Sequence, residues 1–237
     1  MHYTEKLIGL AAVGILAVGC GSGDSPGTAA APGADSKPGT AQETTAAPQA
    51  TPLPVAVDGP QKDVLDSSSD GQLKVPPKPD NSAPFTERVE HKLQEQVLGR
   101  VKVPGKTSAE CPDGVTQKAG AVNTCNVTYE GAVIPYEVKI SDSYKEGGFM
   151  TFYNAKPLKG LLVAKVVYNE QYGSGSGRSD ASKLACEEFP AARAVGFEAD
   201  SGLTCQYWSK YGDEGDGGYE TLRVKAGLYG PSFEQVR

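Results

Sequence analysis

The chain has 237 residues, a formal charge of −6, five cysteines and two histidines. That length suits one or two small domains. Phe85–Arg237 holds twenty acidic and eighteen basic side chains, a balance too even for the basic footprint of a nucleic-acid partner, and nucleic acid is excluded on that ground.

The N-terminus opens with a short polar stretch carrying Lys6, followed by an uncharged apolar run, Leu7–Gly19. The run is shorter than the roughly 20 apolar residues that span a bilayer, and it has the length of a signal-peptide core. Ala17-Val18-Gly19-Cys20 ends it and resembles a bacterial lipobox, with Ala17 where Leu is usual. The resemblance implies that residues 1–19 are removed and that Cys20 becomes an acylated N-terminus. Membrane lipid is then a partner through Cys20, and the protein sits on the outer face of the cytoplasmic membrane. Each buried acyl methylene contributes about 0.8 kcal/mol to such an anchor.

Setting Cys20 aside leaves Cys111, Cys125, Cys186 and Cys205. An even number in an exported chain predicts a disulfide framework, for which four cysteines allow three connectivities. Sequential pairing closes two short loops and is the expected one.

Residues 20–83 are rich in Ala, Pro, Gly, Ser and Thr, and eleven of the seventeen prolines fall between Gly21 and Pro84. The stretch has no aromatic residue, so it is predicted to bury too little apolar area to order itself and to act as a tether. The first folded unit is predicted over 84–155. Phe85, Val89, Leu93 and Val97 recur every fourth residue, which predicts an amphipathic helix. Asn81 or Ser82 is the expected cap, Pro84 suits the first turn and Gly99 the stop. His91 falls opposite the apolar stripe and is predicted exposed.

Cys125, Val127 and Tyr129 alternate with polar residues, as do Ile134, Tyr136, Val138 and Ile140, with Glu130-Gly131 between them. This predicts a β-hairpin with one buried face. A third strand is expected over Phe149–Asn154. The next run, Pro157–Gly173, reads as a strand by its valines or as a helix by its length and by Leu158, Leu162 and Val166, and an internal repeat favours the helix. It opens a second unit, 156–237, with Gly173–Gly177 read as a linker between units.

The second unit reads as a diverged repeat of the first, the alternative being one domain with an unrelated C-terminal extension. Val97 precedes Cys111 by fourteen residues, as Tyr172 precedes Cys186. "NTCNVTYEG" is echoed by "LTCQYWSKYG", and "PYEVK" by "GYETLRVK". The expected fold is therefore α+β, two small tandem units, each a helix on an antiparallel sheet stapled by one disulfide.

Glu110-Cys111-Pro112, Gly120 and Thr124-Cys125 after an amphipathic helix resemble a small domain of unknown function common in secreted lipoproteins of actinobacteria. The resemblance covers roughly Phe85–Asn154 and implies a disulfide between its two cysteines and no established catalytic residues. The second unit departs from it, with Glu187 after its first Cys. Tandem helix-plus-sheet units with one short disulfide loop each also resemble, in organisation only, the β-lactamase inhibitory proteins.

No catalytic constellation is predicted. His2 leaves with the signal peptide and His91 stands alone, whereas imidazole-based nucleophilic catalysis needs a positioned partner set. Glu187 and Glu188 are a poor acid–base pair, because adjacent helical residues diverge. Asp213, Glu214 and Asp216 fit no calcium-loop spacing and are read as a solvated tip, so neither a metal nor a cofactor is predicted. Trp208 and Tyr211 are the candidate binding residues, able to stack on a sugar or a partner's apolar surface. Lys156, Lys159 and Lys165 are read as solvated. The expected function is a non-enzymatic binding module of the envelope, its partner an envelope protein or wall polymer. The alternative is a secreted protein inhibitor.

Overall fold

A computed structural model describes residues 51–212 and 215–236. The predicted signal peptide, Cys20 and the part of the predicted tether up to residue 50 lie outside these residues. Helix α1, Phe85–Val101, presents Val89, Leu93, Val97, Leu98 and Val101 to the interior. Strands β2 (Thr107–Glu110), β3 (Val122–Tyr129), β4 (Ala132–Ile140) and β5 (Tyr153–Pro157) form an antiparallel meander in chain order. The predicted alternation sets its phase: Cys125, Val127, Tyr129, Ile134, Tyr136, Val138 and Ile140 all face α1 in one core. Glu130 and Gly131 both have positive φ, 45° and 84°, which gives the hairpin a turn whose twist matches that of the strands.

The second half repeats the plan. Helix α2, Ala164–Gly175, precedes β7 (Ala181–Cys186), β9 (Asp200–Ser209), β10 (Gly218–Ala226) and β11 (Pro231–Gln235), paired antiparallel in the order β7-β9-β10-β11. Val167, Leu184, Cys186, Cys205, Tyr207, Val224 and Ala226 form its core. Cys111 joins Cys125 and Cys186 joins Cys205. Each bridge links the first meander strand, or the residue following it, to the second strand at directly opposed positions. Val138 lies two residues past the partner of Cys125, and Val224 two past the partner of Cys205. The Val-Lys part of the echo thus occupies matching register. The tyrosine part does not, because Tyr136 pairs with Cys125 whereas Tyr219 pairs with Trp208.

Several expectations are corrected. Thr51–Ala83, part of the predicted tether, is a packed strap: β1 (Val55–Ala56) pairs with β7, Val57 enters the second core, and Leu73, in the 3₁₀ turn Gly71–Leu73, enters the first. Two buried apolar anchors and a strand edge order this segment where its own composition would not. Helix α1 has Pro84 as N-cap, with no side-chain cap bond, and runs past Gly99 to Lys102, which takes the left-handed conformation. Gly99 answers a different need, since a Cβ there would stand 3.0 Å from the Ser68 carbonyl of the crossing strap. His91 is half-buried, with Nε2 2.6 Å from the Val75 carbonyl oxygen.

The third strand begins at Tyr153, opposite Ile140, and Phe149, Met150 and Phe152 are left exposed. Pro157 belongs to the first sheet, and Gly160–Val163 is a strand, β6, paired with β8 (Ala192–Val195). The helix starts only at Ala164. Gly173–Gly175 is the end of α2, so the expected inter-unit linker is part of the second half.

Candidate binding cleft

Three chain segments distant in sequence meet beside the end of α1. The strap crosses it, with Leu65 N–H donating to the Lys102 carbonyl at 2.8 Å and Lys102 Nζ to the Asp66 carbonyl at 3.1 Å. Asn169 on α2 holds the same strap by accepting from Gln61 N–H at 3.1 Å. Lys165 Nζ binds Asp63 at 2.8 Å and holds that carboxyl below its ordinary range, first through the hydrogen bond. The turn between β10 and β11 arrives from the other side, closed by Gly227 N–H on the Gly230 carbonyl at 2.8 Å.

Between them lies an open cleft of about 660 Å³, bordered by Val64, Arg100, Val166, Glu170 and Tyr229. A neighbouring trough of about 790 Å³, toward Ser69 and Gln96, shares Arg100, Lys102, Leu228 and Tyr229. Volumes of roughly 300–1,000 Å³ suit small ligands, and paired open troughs also suit a peptide edge. Tyr229 is 92% exposed and Leu228 45%, so the turn presents an apolar ridge between the two depressions.

Arg100 sits at their junction, half-buried. Among the described residues no carboxylate lies within ion-pair distance of it. Its charge reaches the Tyr136 phenol, which burial pushes up and Arg100 partly pulls back. A half-buried, unpaired guanidinium beside an exposed Tyr and Leu has the chemistry of interface anchor residues.

Of the two sequence-predicted binding residues, Trp208 is on the outer face of the second sheet. Its ring meets the edge of Tyr219 at 5.2 Å, with Lys183 Nζ 4.9 Å from its centroid. Tyr211 is 68% exposed beyond the strand end, with Lys210 over its ring. The two do not join the cleft. Glu187 accepts from Thr204 N–H at 2.7 Å while Glu188 is exposed, and both follow a strand instead of lying on a helix. Asp213 and Glu214 lie outside the described residues. Among the described residues no group of three metal-binding side chains gathers, and no helix is long and apolar enough to cross a membrane.

The chain matches no known family, no curated protein and no solved structure. Arg100, Leu228 and Tyr229 therefore stand as candidates on geometry alone. Sequence reading missed them because no local spacing unites residues more than a hundred positions apart.

Proposed function

We propose that the protein is a non-enzymatic binding module of the cell envelope, lipid-anchored through Cys20 on the outer face of the cytoplasmic membrane, that captures an envelope protein or wall polymer in the cleft around Arg100 and Tyr229. The observation that carries this reading is the half-buried Arg100, with no carboxylate partner among the described residues, at the junction of two troughs under the exposed Leu228–Tyr229 ridge. Burying such a ridge on a partner removes apolar surface from water, and Arg100 supplies a directional anchor.

The anchoring clause rests on the lipobox-like run Ala17-Val18-Gly19-Cys20 after the apolar stretch Leu7–Gly19. In the test of binding, envelope extract is passed over the immobilised chain and over its Tyr229→Ala/Arg100→Ala variant. Partners retained by the first and lost by the second support the reading. Identical retention by both overturns the cleft assignment. For the anchor, Cys20→Ala moves the protein from the membrane fraction to the soluble fraction; unchanged detergent dependence overturns lipidation.

A second reading, a secreted inhibitor, draws on the matching order of the two meanders and the opposed placement of their disulfides. Inhibition of a purified hydrolase at stoichiometric concentration, abolished by the same double variant, favours it over passive capture.

A further inference from the structure

A further concavity, of about 640 Å³, lies between the extended segment Lys74–Asn81 and the outer face of α1, adjoining the trough at Arg100. Its helical wall is Arg88, His91, Lys92 and Glu95, spaced i, i+3, i+4, i+7 and so on one stripe. Lys74 and Lys78 project from the opposite wall, between Val75, Pro76 and Pro79. Four permanent cations thus face one carboxylate in a chain whose net charge is −6.

Glu95 is already shared, 3.7 Å from Lys74 and 3.5 Å from Lys92. Arg88 and Lys78 have no carboxylate within ion-pair distance among the described residues. Arg88 also stands in the first turn of α1, where the helix end adds partial positive charge. The groove is built before any ligand arrives, since His91 Nε2 donates to the Val75 carbonyl at 2.6 Å and ties the two walls together. Prolines stiffen the strap wall, so little ordering is left to be done on binding. Asp80 flanks the groove on the strap without lining it.

We infer that this groove is an anion-binding site for a linear polyol-phosphate polymer, with Arg88 and Lys78 as the primary phosphate contacts and Lys74 and Lys92 as the following ones. A bilayer surface fits it poorly. None of the large exposed apolar side chains, Phe149, Met150, Leu228 and Tyr229 among them, lines it, so nothing there enters an acyl layer. Successive cations along a groove suit successive phosphates along a chain, and release of the polymer's counterions drives association. The groove shares Lys74, Lys92 and Glu95 with the trough at Arg100, but its primary contacts Arg88 and Lys78 line neither that trough nor the cleft, so their test does not depend on the Arg100 assignment.

The test titrates poly(glycerol phosphate) into the full extracytoplasmic chain, Cys20–Arg237 with Cys20→Ser, by calorimetry at low and moderate salt. The expected result is saturable binding whose log affinity falls linearly with log salt. Lys78→Gln/Arg88→Gln weakens it about tenfold, the order expected from losing two solvent-exposed ion pairs. Lys156→Gln/Lys159→Gln, which removes the same charge from exposed sites elsewhere, leaves it within about twofold because diffuse attraction is screened. Circular dichroism confirms that both variants fold. Equal loss in both double variants, binding only to anionic phospholipid vesicles, or no binding at low salt overturns the assignment.

Discussion

Leu162 and Val163 are neighbours on β6, and their side chains enter different cores, Val163 the one beneath α1 and Leu162 the one beneath α2. The strand's alternation makes this possible, because successive residues point to opposite faces. Its partner β8 obeys the same phase, with Ala192 and Ala194 on the first core and Val195 on the second. A two-stranded ribbon therefore lies between the two helix-and-sheet halves and is shared by both. Leu162→Ala is expected to cost about 2–5 kcal/mol and to lower one common unfolding transition. Fluorescence of the single tryptophan, Trp208 on the second sheet, and far-UV circular dichroism are expected to report the same midpoint. Two separated midpoints would show that the halves unfold independently.

The strap makes a parallel prediction. Val57 and Leu73, each 2% exposed, fill different cores from one continuous segment. Leu73→Ala is expected to destabilise by about 2–5 kcal/mol. A fragment beginning at Ser82 loses both anchors and the β1 edge, and is expected to bind a hydrophobic dye that the chain from Thr51 does not. Equal melting temperatures for the two fragments would return the strap to the status of a tether.

Each disulfide sits beside a carboxylate that accepts a backbone N–H. Glu90 takes that of Cys111 and Glu187 that of Thr204, both at 2.7 Å. The bridged residues are 14 and 19 positions apart, and closing a loop of this size is worth about 3 kcal/mol in the chain-entropy account. Cys111→Ala/Cys125→Ala is expected to lose roughly that amount, measured by urea unfolding, and Glu187→Gln about 1 kcal/mol. Peptide mapping without reductant should recover the two sequential links, and a Cys111–Cys186 link would contradict the fold.

Tyr129 sets an alkaline limit. Its hydroxyl donates to the Val103 carbonyl at 3.2 Å. Burial first, and then the Glu130 charge, push its phenol up to about 12. A phenol raised in the folded state stabilises fully below its unfolded value, near 10. That contribution is lost as pH rises through the folded value. Tyr136 and Tyr153 shift the same way through burial. Stability should fall between about pH 10 and 12, with tyrosinate absorbance appearing alongside unfolding, and Tyr129→Phe should flatten the slope. Tyrosinate absorbance developing fully before any loss of structure would contradict this.

The sequence made plain what depends on local period. The fourfold stripe of α1 and the alternation through Tyr129 and Tyr136 both match the structure, since each element needs only a consistent apolar face. What it hid depends on partners far along the chain. Gly160–Val163 is a short apolar run that reads equally as helix or strand until Ala192–Val195 is placed beside it. The strap's composition resembles a tether, yet Val57 and Leu73 meet cavities shaped by other segments. Residue type points to Trp208 and Tyr211, but strand phase sets the first against Tyr219 and Lys183 and leaves the second exposed at the strand end beneath Lys210. The cleft at Arg100 draws on the strap, α1, α2 and the last turn, so no stretch of sequence carries its signature.

The binding account is tested most directly by a photoreactive phenylalanine at position 229, introduced into the full-length protein in its native cells, with Val133 on the first hairpin as an exposed control. A discrete cross-linked species from position 229, absent from position 133 and lost with Arg100→Ala, is the predicted result. Position 229 yielding no adduct, or the same adducts as position 133, would contradict it.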